Sequence, residues 1–331
     1  MKNIQLIAEK MVANGKGILA ADESTPTCTK RFEALQLEST ELSRNLYRSA
    51  LFTSNKLEDY ISGVILFDET FHQNIMNSKK TIPQYLKDKN ILTGIKVDKG
   101  AKSLSNHHNE KITEGLDGLR ERLKIYKHQG ADFAKWRAVI TIDQNNPSDA
   151  CIYSNAHALA RYASLCQENN IVPIVEPEVL MDGNHDIDKC YETSNKTLHI
   201  VFQELNKLKV DLKAIVLKPN MVLPGLASSN QVNNDIIADM TFDVLIKNVP
   251  KEVPGIAFLS GGQSSDLAAE RLNKLNQLYM NKAPWKLTFS YGRALQQDAL
   301  SNWAKKSNEK TQDALIYRAN MNHLSCLGKL T

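Results

Sequence analysis

The run Ala214-Ile215-Val216-Leu217-Lys218-Pro219-Asn220 closes an apolar stretch on a lysine, where packing alone would favour another aliphatic side chain. A buried ammonium is costly unless it is paired or gives up its proton, so such a site is expected to lower the Lys218 pKa and free a nucleophilic amine. The chemistry open to that amine is Schiff-base formation with a carbonyl substrate. A solitary lysine at a strand end would instead extend its ammonium into water. The company of Lys218 decides between the two. Asp22 ends GILAAD, Lys96 ends LTGIK, Glu176 and Glu178 lie in IVPIVEPE, Ser260 follows GIAFL, and Lys135 and Arg137 lie in FAKWRAVI. Alternation along a strand puts Lys135 and Arg137 on one face, opposite Trp136, and puts Glu176 on the same face as Glu178. Both pairs are expected to point inward, with lysines close enough to depress one another's pKa. Structural ion pairs inside a barrel would give charged interior positions too, but would not confine them to the carboxyl ends of strands.

The elements that must position these residues are eight short apolar runs, beginning near Gly17, Ser62, Leu92, Phe133, Ile171, Ala214, Gly255 and Lys286. Such runs suit buried parallel strands. Amphipathic stretches separate them, for example Leu116, Leu119, Leu123 and Tyr126, or Leu267, Leu272, Leu275 and Leu278. Eight strand–helix units predict an α/β fold, a (β/α)8 TIM barrel, whose active site forms where strands end and βα loops begin. Ile4, Ile7, Ala8 and Met11 predict an extra N-terminal helix ended by Gly15, and further helices follow Arg293. No composition break divides the sequence, so residues 1–331 are expected to form one domain. The polar segment Lys102–Lys111 is expected to be a surface loop.

Composition excludes several classes. A net charge of +4, from 41 basic against 37 acidic residues, is too small an excess for nucleic acid, though it allows locally basic anion pockets. No apolar run approaches the roughly 20 residues of a membrane-spanning helix. Cys28, Cys151, Cys166, Cys190 and Cys326 are scattered, without a CxxC pair or a secretory leader before them, which predicts a reducing, cytoplasmic setting.

Two loops carry substrate information. Ser260-Gly261-Gly262-Gln263-Ser264 follows the seventh predicted strand, and Ser290-Tyr291-Gly292-Arg293-Ala294 follows the eighth and enters a predicted helix. Barrels often bind phosphate there: glycines let backbone N–H groups approach the anion, a helix N-terminus favours it, and an arginine can donate two hydrogen bonds. A second cationic group, Lys96, Arg137 and Arg31, is placed to hold another phosphate. The expected substrate is therefore a bisphosphate.

GILAADEST at 17–25, GIKVDKG at 94–100, DFAKWR at 132–137, IVPIVEPE at 171–178, LKPNMV at 217–222, FLSGGQS at 258–264 and LTFSYGRALQ at 287–296 resemble class I fructose-bisphosphate aldolases, in family order and over nearly the whole chain. The resemblance implies that Lys218 is the Schiff-base lysine and that Asp22, Lys135 and Glu176 are its catalytic partners. It implies that Ser260, Gly261, Gly292 and Arg293 bind the phosphate on the ketose side, that Lys96, Arg137, Ser24 and Arg31 lie toward the other phosphate, and that Glu178 is a supporting carboxylate. It further implies glycolytic and gluconeogenic use, no cofactor and a homotetramer. Pro26 and Thr27 stand where the family commonly has glycine then serine, which stiffens that loop and adds a methyl group. Animal members continue past the segment resembling Leu327–Thr331 into a tail ending in tyrosine, and no residue here is expected to take that tyrosine's part in proton exchange.

Three other functions compete with this one. A metal-dependent aldolase would need a ligand cluster, and His72, His107, His108, His128, His157, His185, His199 and His323 suggest none, so no metal is expected. A Schiff-base aldolase could prefer fructose 1-phosphate or sedoheptulose 1,7-bisphosphate. A barrel serving as a binding scaffold would have no chemical need of the full charged set.

Overall fold

Side chains alternate along a β-strand, so a strand in a closed barrel sends every second residue inward, and the apolar runs here meet that demand on both faces. The computed structural model describes residues 2–331. Its strands are β1 (Gly17–Ala21), β2 (Ile61–Leu66), β3 (Leu92–Lys96), β4 (Ala101–Ser103), β5 (Lys111–Thr113), β6 (Phe133–Ile140), β7 (Val172–Val179), β8 (Val216–Leu217), β9 (Gly255–Phe258) and β10 (Lys286–Tyr291). Eight of them close a parallel barrel in the order β1-β10-β9-β8-β7-β6-β3-β2. Helices cross over between them on the outside, giving the TIM barrel expected from the sequence.

The apolar core falls into two shells. Leu19, Ala134, Trp136, Val175, Leu217, Ile256 and Phe258 point outward under the helices, where Trp136 stacks on Tyr162 at 5.6 Å between ring centroids. Ile18, Ala20, Ile65, Phe133, Val172, Ile174, Val216 and Ala257 form the inner shell. The N-terminal helix α1 (Lys2–Met11) turns Ile4, Ala8 and Met11 into that inner shell. It therefore plugs the amino-terminal end of the barrel and leaves the carboxyl end for chemistry. The C-terminal helices Arg293–Ala304 and Asn308–Cys326 pack on the outside.

Phe133 shows how tightly the inner shell is filled. Its ring lies across β2 and β3 at Gly63 and Gly94, where an added Cβ would come within 2.9 Å and 2.2 Å of it. Gly94→Ala is expected to lower stability by about 1–3 kcal/mol by overpacking. The check is a lower urea midpoint at unchanged slope; an unchanged midpoint would contradict the packing argument.

Three local expectations need correction. The segment Lys102–Lys111 is not simply a loop: β4 and β5 pair antiparallel, with Lys102 opposite Ile112. The ladder is anchored on the barrel, because the Thr113 hydroxyl donates to the Arg137 carbonyl and the Asn155 amide donates to the Lys111 carbonyl. In helix Ser265–Tyr279 the buried stripe is Ala268, Leu272 and Leu275, at spacings of four and three, whereas Leu267 and Leu278 face outward. The sixth barrel strand is shorter than its apolar run, since Leu212–Ala214 forms a 3₁₀ turn before Val216. All five cysteines are free and buried. Among the described residues, no helix is long and apolar enough to cross a membrane.

Candidate active site

The inward positions of the barrel change character along each strand. Ile18 and Ala20 are followed two residues later by Asp22, Phe133 by Lys135, Ile174 by Glu176, and Val216 by Lys218. An apolar floor thus carries a charged layer at the carboxyl ends. That layer lines a cavity of about 610 Å³, which brings together Asp22, Ser24, Arg31, Lys96, Lys135, Arg137, Glu176, Glu178, Lys218, Ser260, Gly261, Gly292 and Arg293. Every site residue named from the sequence lies in its wall.

At its base, Lys218 Nζ stands 3.1 Å from Glu176 Oε1, and Lys135 Nζ stands 3.6 Å from Glu176 Oε2. Glu176 therefore bridges the two lysines. Lys135 also lies 2.7 Å from Asp22 Oδ2 and 3.8 Å from Asp98 Oδ2. Lys135, Glu176 and Lys218 are each no more than 4% exposed, so these charges interact with little screening by water. The Lys218 N–H donates to the Val175 carbonyl at 2.8 Å, continuing the β7–β8 ladder past the regular strand and fixing the lysine's backbone.

The electrostatics reverse one expectation. Burial opposes the charge of Lys135, but Asp22, Glu176 and Asp98 together outweigh it and raise its pKa well above the ordinary lysine range. The sequence suggests that crowded lysines would depress one another; three carboxylates around one ammonium win instead. Burial likewise pushes the Asp22 carboxyl up, yet Lys135 and Lys218 pull it down to about 2. Lys135 is thus a fixed cation and Asp22 a fixed anion at neutral pH. One oxygen of Glu176, Oε2, is buried without a hydrogen-bond partner, free to accept a proton or a hydroxyl.

Arg137 does not turn into the barrel with Lys135. Its side chain is 43% exposed at the rim, where it pairs with Glu178. Lys96 pairs with Asp98 and Arg31 with Glu23, so each cation assigned to the second phosphate already has a carboxylate partner. The Ser24 hydroxyl lies 3.1 Å from that of Thr27, and Pro26 sits in the first turn of helix Thr25–Glu33. A further recess of about 840 Å³ opens beside this rim and shares Ser24, Thr27, Lys96 and Arg137 with the cavity.

On the other side, the Ser260–Gly262 loop and Gly292 face each other. The backbone N–H groups of Ser260, Gly261 and Gly292 donate to no protein acceptor among the described residues. Gly292 is also the N-cap of helix Arg293–Ala304. Unpaired N–H groups at a helix N-terminus form an anion site. The exposed Arg293 guanidinium donates to the Gly261 carbonyl at 2.6 Å and so joins the two loops.

Two polar residues of the site escape a sequence reading, and a third, Ser290, is read there only as part of a phosphate loop. Asp98 is buried and holds both Lys96 and Lys135; its signal was its position two residues after Lys96. Glu23 pairs with Arg31 and accepts from the Gln296 amide. Ser290 lines the cavity with a buried hydroxyl that has no partner.

A family model described as glycolytic fructose-bisphosphate aldolase class-I matches residues 3–331. The chain belongs to the class I fructose-bisphosphate aldolases. The aldolase is 48% identical to fructose-bisphosphate aldolase C-B of Danio rerio over 331 residues, covering 99% of this chain and 91% of that one. It is 48% identical to cytosolic fructose-bisphosphate aldolase 4 of Arabidopsis thaliana over 316 residues, covering 95% of this chain and 80% of that one. Its fold superposes with a TM-score of 0.97 on the Plasmodium falciparum fructose-bisphosphate aldolase, solved in a ternary complex with TRAP and a small-molecule inhibitor. That pair is 45% identical, over 100% of this chain and 95% of the other.

Proposed function

We propose that this aldolase reversibly cleaves fructose 1,6-bisphosphate to dihydroxyacetone phosphate and glyceraldehyde 3-phosphate through a Schiff base on Lys218, with residues 1–331 acting as one catalytic domain. The observation that carries the reading is the contact of Lys218 Nζ with Glu176 at 3.1 Å inside a cavity with unpaired backbone N–H groups on one side and Lys96, Arg137 and Arg31 on the other. A general acid or base must lie within hydrogen-bond reach of the proton it moves, and Glu176 meets that condition for the amine.

The Lys218 amine attacks C2 of the open-chain ketose to give a carbinolamine. Glu176 takes the proton from the amine and returns it to the leaving hydroxyl, so water departs and an iminium remains. The iminium is the electron sink. Asp22 accepts the C4 hydroxyl proton as the C3–C4 bond breaks, its electron pair passing to C3 and into the enamine. Glyceraldehyde 3-phosphate leaves; C3 is protonated, and hydrolysis of the iminium releases dihydroxyacetone phosphate and restores Lys218. Lys135, held charged by its three carboxylates, keeps Asp22 ionised for its proton transfer.

The ketose-side phosphate is assigned to the free N–H groups of Ser260, Gly261 and Gly292 with Arg293. The other phosphate is assigned to Lys96, Arg137, Ser24 and Arg31, where it would compete with Asp98, Glu178 and Glu23 for the cations. Cytoplasmic glycolysis and gluconeogenesis are the proposed setting, and a homotetramer the proposed assembly. Relative kcat/KM values in excess chelator test the substrate. Fructose 1,6-bisphosphate is expected to exceed fructose 1-phosphate and sedoheptulose 1,7-bisphosphate, with no loss of rate from the chelator. A higher value for either analogue would move the assignment to that sugar, and chelator-sensitive cleavage would overturn the iminium as electron sink.

A further inference from the structure

The ketose-side phosphate loop meets a sulfur atom in the cavity wall. The N–H of Gly262 donates to Met181 Sδ at 2.8 Å, the one hydrogen bond that amide makes to a described residue. Ser260 and Gly261, the two preceding residues, keep their N–H groups free. Consecutive N–H groups cannot all turn toward one anion without a fixed peptide orientation; the Gln263 N–H closes this turn on the Ser260 carbonyl, Arg293 holds the Gly261 carbonyl, and the thioether holds the N–H end of that same peptide. Gly261 has φ +58°, and a Cβ there would come within 2.9 Å of the same sulfur.

Met181 is itself rigidly placed. Its carbonyl accepts from Leu226 N–H at 2.8 Å, the Gly183 carbonyl from Ala227 and the His185 carbonyl from Gly225, each also at 2.8 Å. Leu180 N–H donates to Ile140 at 2.9 Å, which anchors the start of the segment on the barrel. Gly225 passes so close that a Cβ would lie 2.3 Å from the Gly183 carbonyl oxygen. The segments 180–185 and 225–227 therefore form one braced unit, and Met181 and Leu226 project from it onto Gly262.

We propose that Met181 is a positioning residue for the substrate phosphate: its thioether, in the wall of the same cavity, takes up the Gly262 N–H and so holds the turn in the orientation that leaves the Ser260 and Gly261 N–H groups free for the anion. This rests on the assignment of that loop to the ketose-side phosphate. A thioether is a weak acceptor, so the brace is soft and its loss graded.

The experiment uses the condensation direction, where the two phosphates arrive on separate substrates. Met181→Leu keeps an apolar side chain of similar volume and removes the acceptor. Its KM for dihydroxyacetone phosphate is expected to rise about 3- to 10-fold, the range of one modest hydrogen bond. Its KM for glyceraldehyde 3-phosphate and its kcat are expected to stay within about twofold of the parent. Arg293→Ala serves as the control for the loop assignment. If Arg293→Ala raises the dihydroxyacetone phosphate KM and Met181→Leu does not, the positioning role is wrong and the phosphate loop stands. If neither variant moves it, the loop assignment falls and the proposal with it. A Met181→Leu protein in which both KM values and kcat change together would mark a general structural role and would equally overturn the proposal.

Discussion

Lys218→Met is expected to lower kcat/KM for fructose 1,6-bisphosphate by at least about 10⁴-fold while leaving the barrel folded, because in the proposed mechanism it removes the nucleophile and with it the covalent pathway. The substitution exchanges a buried amine for an apolar side chain of similar length, at a position 4% exposed. Its packing cost is small, but it leaves Glu176 facing one lysine instead of two. Stability should therefore change far less than rate. Stopped assays at high enzyme concentration and a denaturation curve read the two quantities separately. A variant that retains more than a few per cent of the parent rate would require another nucleophile.

Lys135→Met is expected to produce the largest loss of stability. Lys135 is the cation nearest Asp22 and is also within 4.0 Å of Asp98 and Glu176, so its removal strips the buried Asp22 of its direct partner, while Asp98 keeps Lys96 and Glu176 keeps Lys218. Breaking a buried charge cluster from one side costs about 3–5 kcal/mol. The pH dependence supplies the signature. In the parent protein Asp22 titrates near 2 rather than at its ordinary 3.8, a depressed value that contributes about 2 kcal/mol. That contribution is fully present above the unfolded value and is lost as pH falls from about 4 toward 2. Lys135 has a raised value, so its contribution is present below the ordinary lysine value of 10.5 and fades only when strong alkali deprotonates the folded protein. Without Lys135, burial at Asp22 loses its strongest opponent, so the Asp22 carboxyl moves up and the variant gives up less stability than the parent as pH falls. Urea midpoints of the two proteins should therefore lie far apart at pH 7.5 and converge toward pH 4. A gap independent of pH would show that the loss is one of packing.

These predictions rest on features of unequal legibility in the sequence. The inner face of the barrel could be read directly, because the two-residue period that lays Ile18, Ala20 and Asp22 on one line is also visible in the chain. Lys135, Glu176 and Lys218 follow the same rule from three other strands, and closure of the barrel then brings them within 4.0 Å. Burial and partner choice were not legible. Arg137 obeys the alternation but sits one step higher, where the barrel opens and its guanidinium reaches the rim. The high pKa of Lys135 comes chiefly from Asp22 and Glu176, and Asp98 adds to it from past the end of β3, where it belongs to no strand pattern. Ser290 reads as the start of the loop after the eighth strand, whereas β10 runs on to Tyr291 and buries its hydroxyl. Met181 has none of the residue chemistry that marks a site, and only the approach of the Gly262 N–H gives it meaning. The β4–β5 ladder is short and polar, and its pairing is set by anchors on β6 and on helix Asp149–Glu168 rather than by its own sequence.

The central claim is that Lys218 forms the covalent intermediate, and borohydride reduction tests it most directly. Protein is reduced with dihydroxyacetone phosphate in the presence of chelator, then weighed intact and mapped by peptide mass spectrometry. The account predicts one substrate-dependent adduct per chain, on the peptide containing Lys218 and absent from Lys218→Met. An adduct on Lys135 would keep the reaction class but contradict the assignment of the nucleophile, and no adduct despite independently measured binding would contradict the Schiff-base mechanism itself.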